Sequence, residues 1–281
     1  MANYIRFDWA MKRLLRNKAN YAVLEGLLTT LLNEKVTILL PIDSTPYADD
    51  DIPKHFRMNL LIANEKNECA LVEIQNNNEY AYYQHTLFGL SCQLTDFINR
   101  YPQGYGSIRK VYSVNIVYFS LGHGKDFVYH GKTEFRGIHE GDLLELSPFQ
   151  RQTFKVDEVS QLYPEYYILK VNDFNRVAKS PLEEWIYYLN TGEVPDNAMA
   201  PGLETVKQQL QLDRMSKEDL KAYYRHLDNI VILRDNIYTE RAEGRAEGIL
   251  ATASNLKKMG MEVDFIMQAT GLSRDEIERL S

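Results

Sequence analysis

Phe56-Arg57-Met58-Asn59-Leu60-Leu61-Ile62-Ala63, a polar turn Asn64-Glu65-Lys66-Asn67-Glu68, and then Ala70-Leu71-Val72-Glu73-Ile74-Gln75-Asn76 read together as a β-hairpin. Two apolar runs bracket a segment rich in turn formers and too polar to lie buried between them. Residues two apart on a strand share a face, so Glu73 and Gln75 point one way and Val72 and Ile74 the other. A carboxylate and an amide at the end of an otherwise apolar strand require a reason.

Upstream, residues 4–18 place apolar and basic residues at helical spacing, with Ile5, Trp9 and Leu14-Leu15 inward and Arg6, Lys12, Arg13, Arg16 and Lys18 outward. That basic face is either solvated or a phosphate contact. Tyr21 to Leu32 predicts a second helix carrying one acid, Glu25, among Val23, Leu24, Leu27 and Leu28. Val36 to Leu40 favours a strand. Pro41 to Lys54 reads as a loop with a cluster at Asp49, Asp50 and Asp51.

Downstream, Glu79 to Tyr101 predicts a helix whose stripe of Tyr82, Tyr83, Leu87, Leu90, Leu94 and Phe97 is core-like rather than a base-stacking platform. Strands follow at Val111 to Phe119, Phe127 to His130 and Tyr166 to Val171. Gly122-His123-Gly124-Lys125 between the first two is a turn, since no GK[ST] follows to make a phosphate-binding loop. Pro181 to Leu189 is a short helix with proline suited to its first turn. From Thr191 to Gly202 the texture is that of a linker. Helices are expected at 203–212 and at 216–240, the latter entered at Ser216 with Asp219 three residues on. Arg241-Ala242-Glu243-Gly244 repeats at once as Arg245-Ala246-Glu247-Gly248, a helical spacer. Ala251 to Met259, Asp264 to Thr270 and Ser273 to Leu280 then form a small helical tail, divided by Gly260 and Gly271. Its Ala269-Thr270-Gly271-Leu272-Ser273 turn resembles that of a helix-turn-helix, but the acids of the last helix would repel phosphate, which favours self-association over DNA contact. The expected division is 1–190 for the main domain, 191–240 for linker and helical segment, and 241–281 for spacer and tail.

A chain of 281 residues, 44% hydrophobic and 25% charged, can bury a full core. No run approaches the roughly 18 apolar residues of a membrane span, and the N-terminal residues lack a signal-peptide pattern. A cytoplasmic protein is expected. Cys69 and Cys92 form no disulfide framework and no CxxC pair, which fits a reducing compartment and argues against zinc. A net charge of −7 gives no global attraction to nucleic acid, so phosphate contact must be local.

At Glu73-Ile74-Gln75, preceded by Arg57-Met58-Asn59-Leu60-Leu61, the chain resembles the Rpn family of recombination-promoting nucleases and transposases, a branch of the PD-(D/E)XK nuclease superfamily. Tyr4 to Lys12, Lys110-Val111-Tyr112-Ser113, Tyr129 to His139 and the Arg-Ala-Glu-Gly repeat extend the match over nearly the whole chain. The resemblance implies an α/β fold, with a restriction-endonuclease-like core of mixed central sheet flanked by helices and an α-helical C-terminal extension. It further implies cleavage of DNA by a magnesium-activated water, Mg2+ or another divalent cation being the cofactor. Glu73 falls on a metal ligand of the family's site, and Gln75 where the superfamily has lysine and this branch glutamine. Asn59 stands where the family has its principal aspartate, and Thr86 where relatives tend to have arginine. Glu25 is a weaker candidate for an accessory acid, and Lys12 and Arg6 are candidates for DNA contact. Asp49, Asp50, Asp51, Glu65 and Glu68 are possible sources of a compensating carboxylate. The alternative is an inactive relative serving as a DNA-binding or assembly module, with a homo-oligomer formed through the tail.

Overall fold

The computed structural model describes residues 4–13, 20–42, 57–64, 68–75, 81–100 and 110–280, with β2 described through its backbone. In chain order the elements are α1 (Phe7–Arg13), α2 (Tyr21–Leu32), β1 (Ile38–Ile42), β2 (Arg57–Asn64), β3 (Glu68–Gln75), α3 (Tyr82–Arg100), β4 (Lys110–Val117), β5 (Val128–Gly131), α4 (Pro148–Phe154), β6 (Glu165–Lys170), α5 (Pro181–Thr191), α6 (Leu203–Gln209), α7 (Lys217–Lys258), α8 (Val263–Thr270) and α9 (Arg274–Arg279). Two compact units result, Met1–Leu220 and Lys221–Ser281.

The first unit is built on a sheet of order β1-β2-β3-β4-β6-β5. The expected hairpin is its antiparallel β2–β3 pair. β3, β4 and β6 run parallel, and β5 closes the far edge antiparallel to β6. A parallel neighbour cannot be reached by a tight turn, and α3 supplies the crossover from β3 to β4. The mixed sheet flanked by helices is the fold class expected from the sequence.

Both faces of the central strands are covered, so their residues read as near-continuous apolar runs. Val72, Ile74, Val114 and Ile116 are fully buried. On the opposite face Tyr82 of α3 packs with Val117 and Phe119, and Tyr82, Thr86 and Leu90 make the buried stripe of that helix. Tyr118 belongs to the first of these two faces, and its hydroxyl donates to Leu189 O of α5 at 2.9 Å.

Several boundaries differ from the sequence reading for identifiable reasons. The first helix begins at Phe7 because Tyr4 bridges to Gln211 and Ile5 N donates to Leu210 O at 2.7 Å, which holds residues 4 and 5 extended. Residues 14–18 of that expected helix lie outside the described residues. β1 runs on through Pro41, a residue confined in sheets to edge strands such as this one. The rest of the expected loop is outside the described residues. Residues 191–202, expected as a linker, lie inside the first unit: Gly202, with φ +84°, sits so close to Gly26 of α2 that a side chain on either would strike the other's backbone. Trp185 Nε1 also donates to Pro201 O at 3.1 Å. The boundary expected at 190 therefore has no counterpart in the compact units. The hydrophobic pattern predicts no helix at α4, although Ser147 and Gln150 cap it reciprocally in a pattern visible in sequence.

The second unit holds most of α7, which passes through the Arg-Ala-Glu-Gly repeat without a break to Lys258. α8 and α9 fold back on it around Ala253, Ile266 and Ile277. Lys257 Nζ donates to Ile277 O, Glu278 O and Leu280 O at 2.9, 2.9 and 2.7 Å, satisfying carbonyls that the end of α9 leaves open. No helix among the described residues is long and apolar enough to cross a membrane.

Candidate active site

The ladder registers put residue 59 of β2 directly opposite Glu73 of β3, and Glu73 beside Asn115 of β4. Directly paired positions lie on one face of a sheet, so 59, 73 and 115 form a row across it. One step along, Gln75 lies beside Val117, and Val117 beside Lys170 of β6. These rows occupy the face that α3 covers.

Burial there is nearly complete. Glu73 is 2% exposed, Gln75 1%, Asn115 1% and Thr86 6%. Neither Gln75 Oε1 nor Gln75 Nε2 has a hydrogen-bond partner among the described residues, nor does Thr86 Oγ1 or Asn115 Oδ1. A buried polar atom left without a partner costs about 1–3 kcal/mol, so several on one patch are uncommon in a region that serves only to hold the fold. All of them are oxygen donors or amides, the ligand chemistry of a hard divalent cation and of the waters it carries. The donor types fit such an ion, but the charge is low: no group of three or more His, Cys, Asp or Glu side chains placed to hold a metal occurs among the described residues.

The remaining candidates sort by their contacts. Glu25 Oε1 accepts from Ile38 N at 2.7 Å, so this acid organises the start of β1. Arg6 donates from Nε to Asp8 Oδ1 at 3.2 Å and lies 5.2 Å from the Tyr118 ring centroid. Asp8, fully buried, also accepts from Trp9 N at 2.9 Å. Arg6 thus joins α1 to the end of β4 on the face opposite Glu73. The side chain of Lys12 lies outside the described residues, as do Asp49, Asp50, Asp51, Glu65 and the side chain of Glu68. Lys170 is 5% exposed and pairs with Asp173 Oδ2 at 2.5 Å.

Thr86 is among the positions the resemblance singles out, whereas Asn115 is not. The signal was present: in Lys110-Val111-Tyr112-Ser113-Val114-Asn115-Ile116-Val117, Ser113 and Asn115 alternate with apolar residues just as Glu73 and Gln75 do.

A model of the PD-(D/E)XK nuclease family transposases matches residues 5–238, which takes in the whole sheet. No curated protein and no solved structure matches the chain.

Proposed function

Because the chain belongs to the PD-(D/E)XK nuclease family transposases, we propose that it is a divalent-metal-dependent DNA endonuclease whose centre is the Glu73–Gln75 face of the sheet. The observation that carries this reading is Gln75: a 1% exposed amide at the end of a parallel strand, with no partner for either polar atom among the described residues. Ligands gather at the carboxyl ends of parallel strands, where the crossover leaves room for them.

Glu73 contributes the carboxylate that would hold the cation. Position 59, opposite it, contributes a neutral amide oxygen, a weaker ligand than the aspartate of relatives. When bound, the cation acts as a Lewis acid that lowers the pKa of a water for in-line attack on phosphorus. Gln75 cannot take that proton, because an amide does not titrate, but its oxygen can accept from the nucleophilic water and fix its direction. The low carboxylate count gives a slow enzyme with weak affinity for its metal. It is also what favours the second reading, an inactive nuclease-fold protein that binds DNA or assembles.

Supercoiled plasmid incubated with the full chain and Mg2+ should become nicked, and chelator or Glu73→Ala should abolish the reaction. Nicking that is equal in chelator would overturn the proposal.

A further inference from the structure

The orientation of the buried Asn115 amide is fixed by its hydrogen bonds. Its Nδ2 donates to Ser113 O at 3.1 Å, to Ser113 Oγ at 3.0 Å and to Tyr167 O at 3.2 Å. Turning the amide over would set its oxygen against two carbonyl oxygens, so the identity of each end is fixed by its surroundings. Oδ1 is therefore held in place by the hydrogen bonds of its own nitrogen, belongs to a residue only 1% exposed, and has no partner among the described residues. Its ladder neighbour on β3 is Glu73.

Thr86 comes from the other side. Tyr82, four residues earlier on α3, packs on Val117. Four helical residues advance about 6 Å and two strand residues about 6.6 Å, and a crossover helix runs back along the strands it joins. One turn on from Tyr82, Thr86 thus comes level with Asn115 and Glu73, two residues back from Val117 on the ladder. The ladder neighbour of Glu73 thus carries a preoriented oxygen, and Thr86 of the buried stripe of α3 comes level with it.

We infer that Asn115 is a further oxygen ligand of the cation held by Glu73, supplying through Oδ1 part of the coordination that position 59 fills without charge. The inference rests on the metal-dependent reading above but concerns binding alone. A neutral, rigidly held oxygen suits a hard cation, and replacing it by a carboxylate raises ligand charge, the quantity that sets affinity in all-oxygen sites.

The test is Mn2+ binding to the full chain, followed by electron paramagnetic resonance of the free ion and by the Mn2+-dependent rise in Tm. It is applied to wild type, Glu73→Ala, Asn115→Ala and Asn115→Asp. Wild type should bind, Glu73→Ala should lose binding, and Asn115→Ala should weaken it at least threefold. Asn115→Asp should bind about tenfold tighter and show a larger Mn2+-dependent rise in Tm than wild type, although its metal-free Tm is lower. A role confined to the hydrogen bonds of Nδ2 would make Asn115→Asp bind no better than wild type, and that result overturns the inference. Should Asn115→Ala fail to fold, the comparison of Asn115→Asp with wild type still decides. Loss in Glu73→Ala beside wild-type affinity in both Asn115 variants overturns this inference and leaves the nuclease reading standing. Absence of Mn2+ binding by wild type overturns both.

Discussion

Two polar clusters along the same sheet differ in how their groups are satisfied. At the amino ends of β4 and β6, Lys110 donates to Glu165 Oε1 at 2.6 Å and reaches Ser160 O and Tyr163 O at 3.4 Å each. His130 Nε2 lies 2.8 Å from Glu165 Oε2, and the imidazole stacks on Tyr167 with ring centroids 4.5 Å apart. Burial alone would push the Glu165 carboxyl up, but the hydrogen bonds and charges of Lys110 and His130 hold it below the ordinary carboxylate value. The same burial, with Glu165 alongside, pushes the Tyr167 phenol up to about 12. Further along the strands, Gln75, Asn115 and Thr86 are more deeply buried, yet four of their polar atoms have no partner among the described residues. The first cluster is satisfied by its own members; in the second, these atoms have no partner among the described residues.

If that contrast is correct, the clusters should respond to substitution in different measurements. Glu73→Gln should reduce plasmid nicking on the order of 100-fold or more, as loss of a group stabilising developing charge does, with little change in thermal stability. Lys110→Met should do the reverse: about 2 kcal/mol lost in urea unfolding and nicking unchanged at a temperature where the variant is folded. This lies below the usual cost of breaking a buried pair because His130 remains and Glu165 is 15% exposed. Thr86→Val should raise stability by about 1 kcal/mol, since a hydroxyl without a partner gives way to a methyl group, and should slow nicking several-fold. A fall in stability there would place Thr86 in the self-satisfied class.

The smallest effect is one of pH. The folded state of Glu165 has the lower pKa, so between the folded and unfolded values the unfolded chain binds more protons and stability rises with pH. The contribution is complete above the unfolded carboxylate pKa and is lost as pH falls through the folded one. Glu165→Gln should therefore flatten the acid limb of a stability profile taken from about pH 6 down to pH 3. An unchanged limb would remove Glu165 from the cluster's energetics.

The hairpin and the α2 boundaries were legible because period-2 and period-3.6 patterns are local properties. The pairing of residue 59 with Glu73 is given by the hairpin's register in the structure. What one strand cannot encode is its neighbour across a crossover. Asn115 meets Glu73 only after α3 has returned the chain, and nothing in Lys110 to Val117 specifies that register. Arg6 shows the opposite failure: its helical spacing suggested an outward cation, but Asp8 two residues on and the Tyr118 ring, distant in sequence, draw it inward. The packing of Gly202 on Gly26 was hidden likewise, since turn-forming residues make tight backbone contacts as readily as linkers.

If the face bearing Glu73 is a metal-dependent nuclease centre weakened at position 59, Mg2+-dependent nicking of supercoiled plasmid should separate wild type, Asn59→Asp and the double variant Asn59→Asp/Glu73→Ala. Such a centre predicts slow nicking by wild type, at least about tenfold faster nicking by Asn59→Asp, and none by the double variant. Equal rates in all three, or no cleavage even by Asn59→Asp, would contradict it.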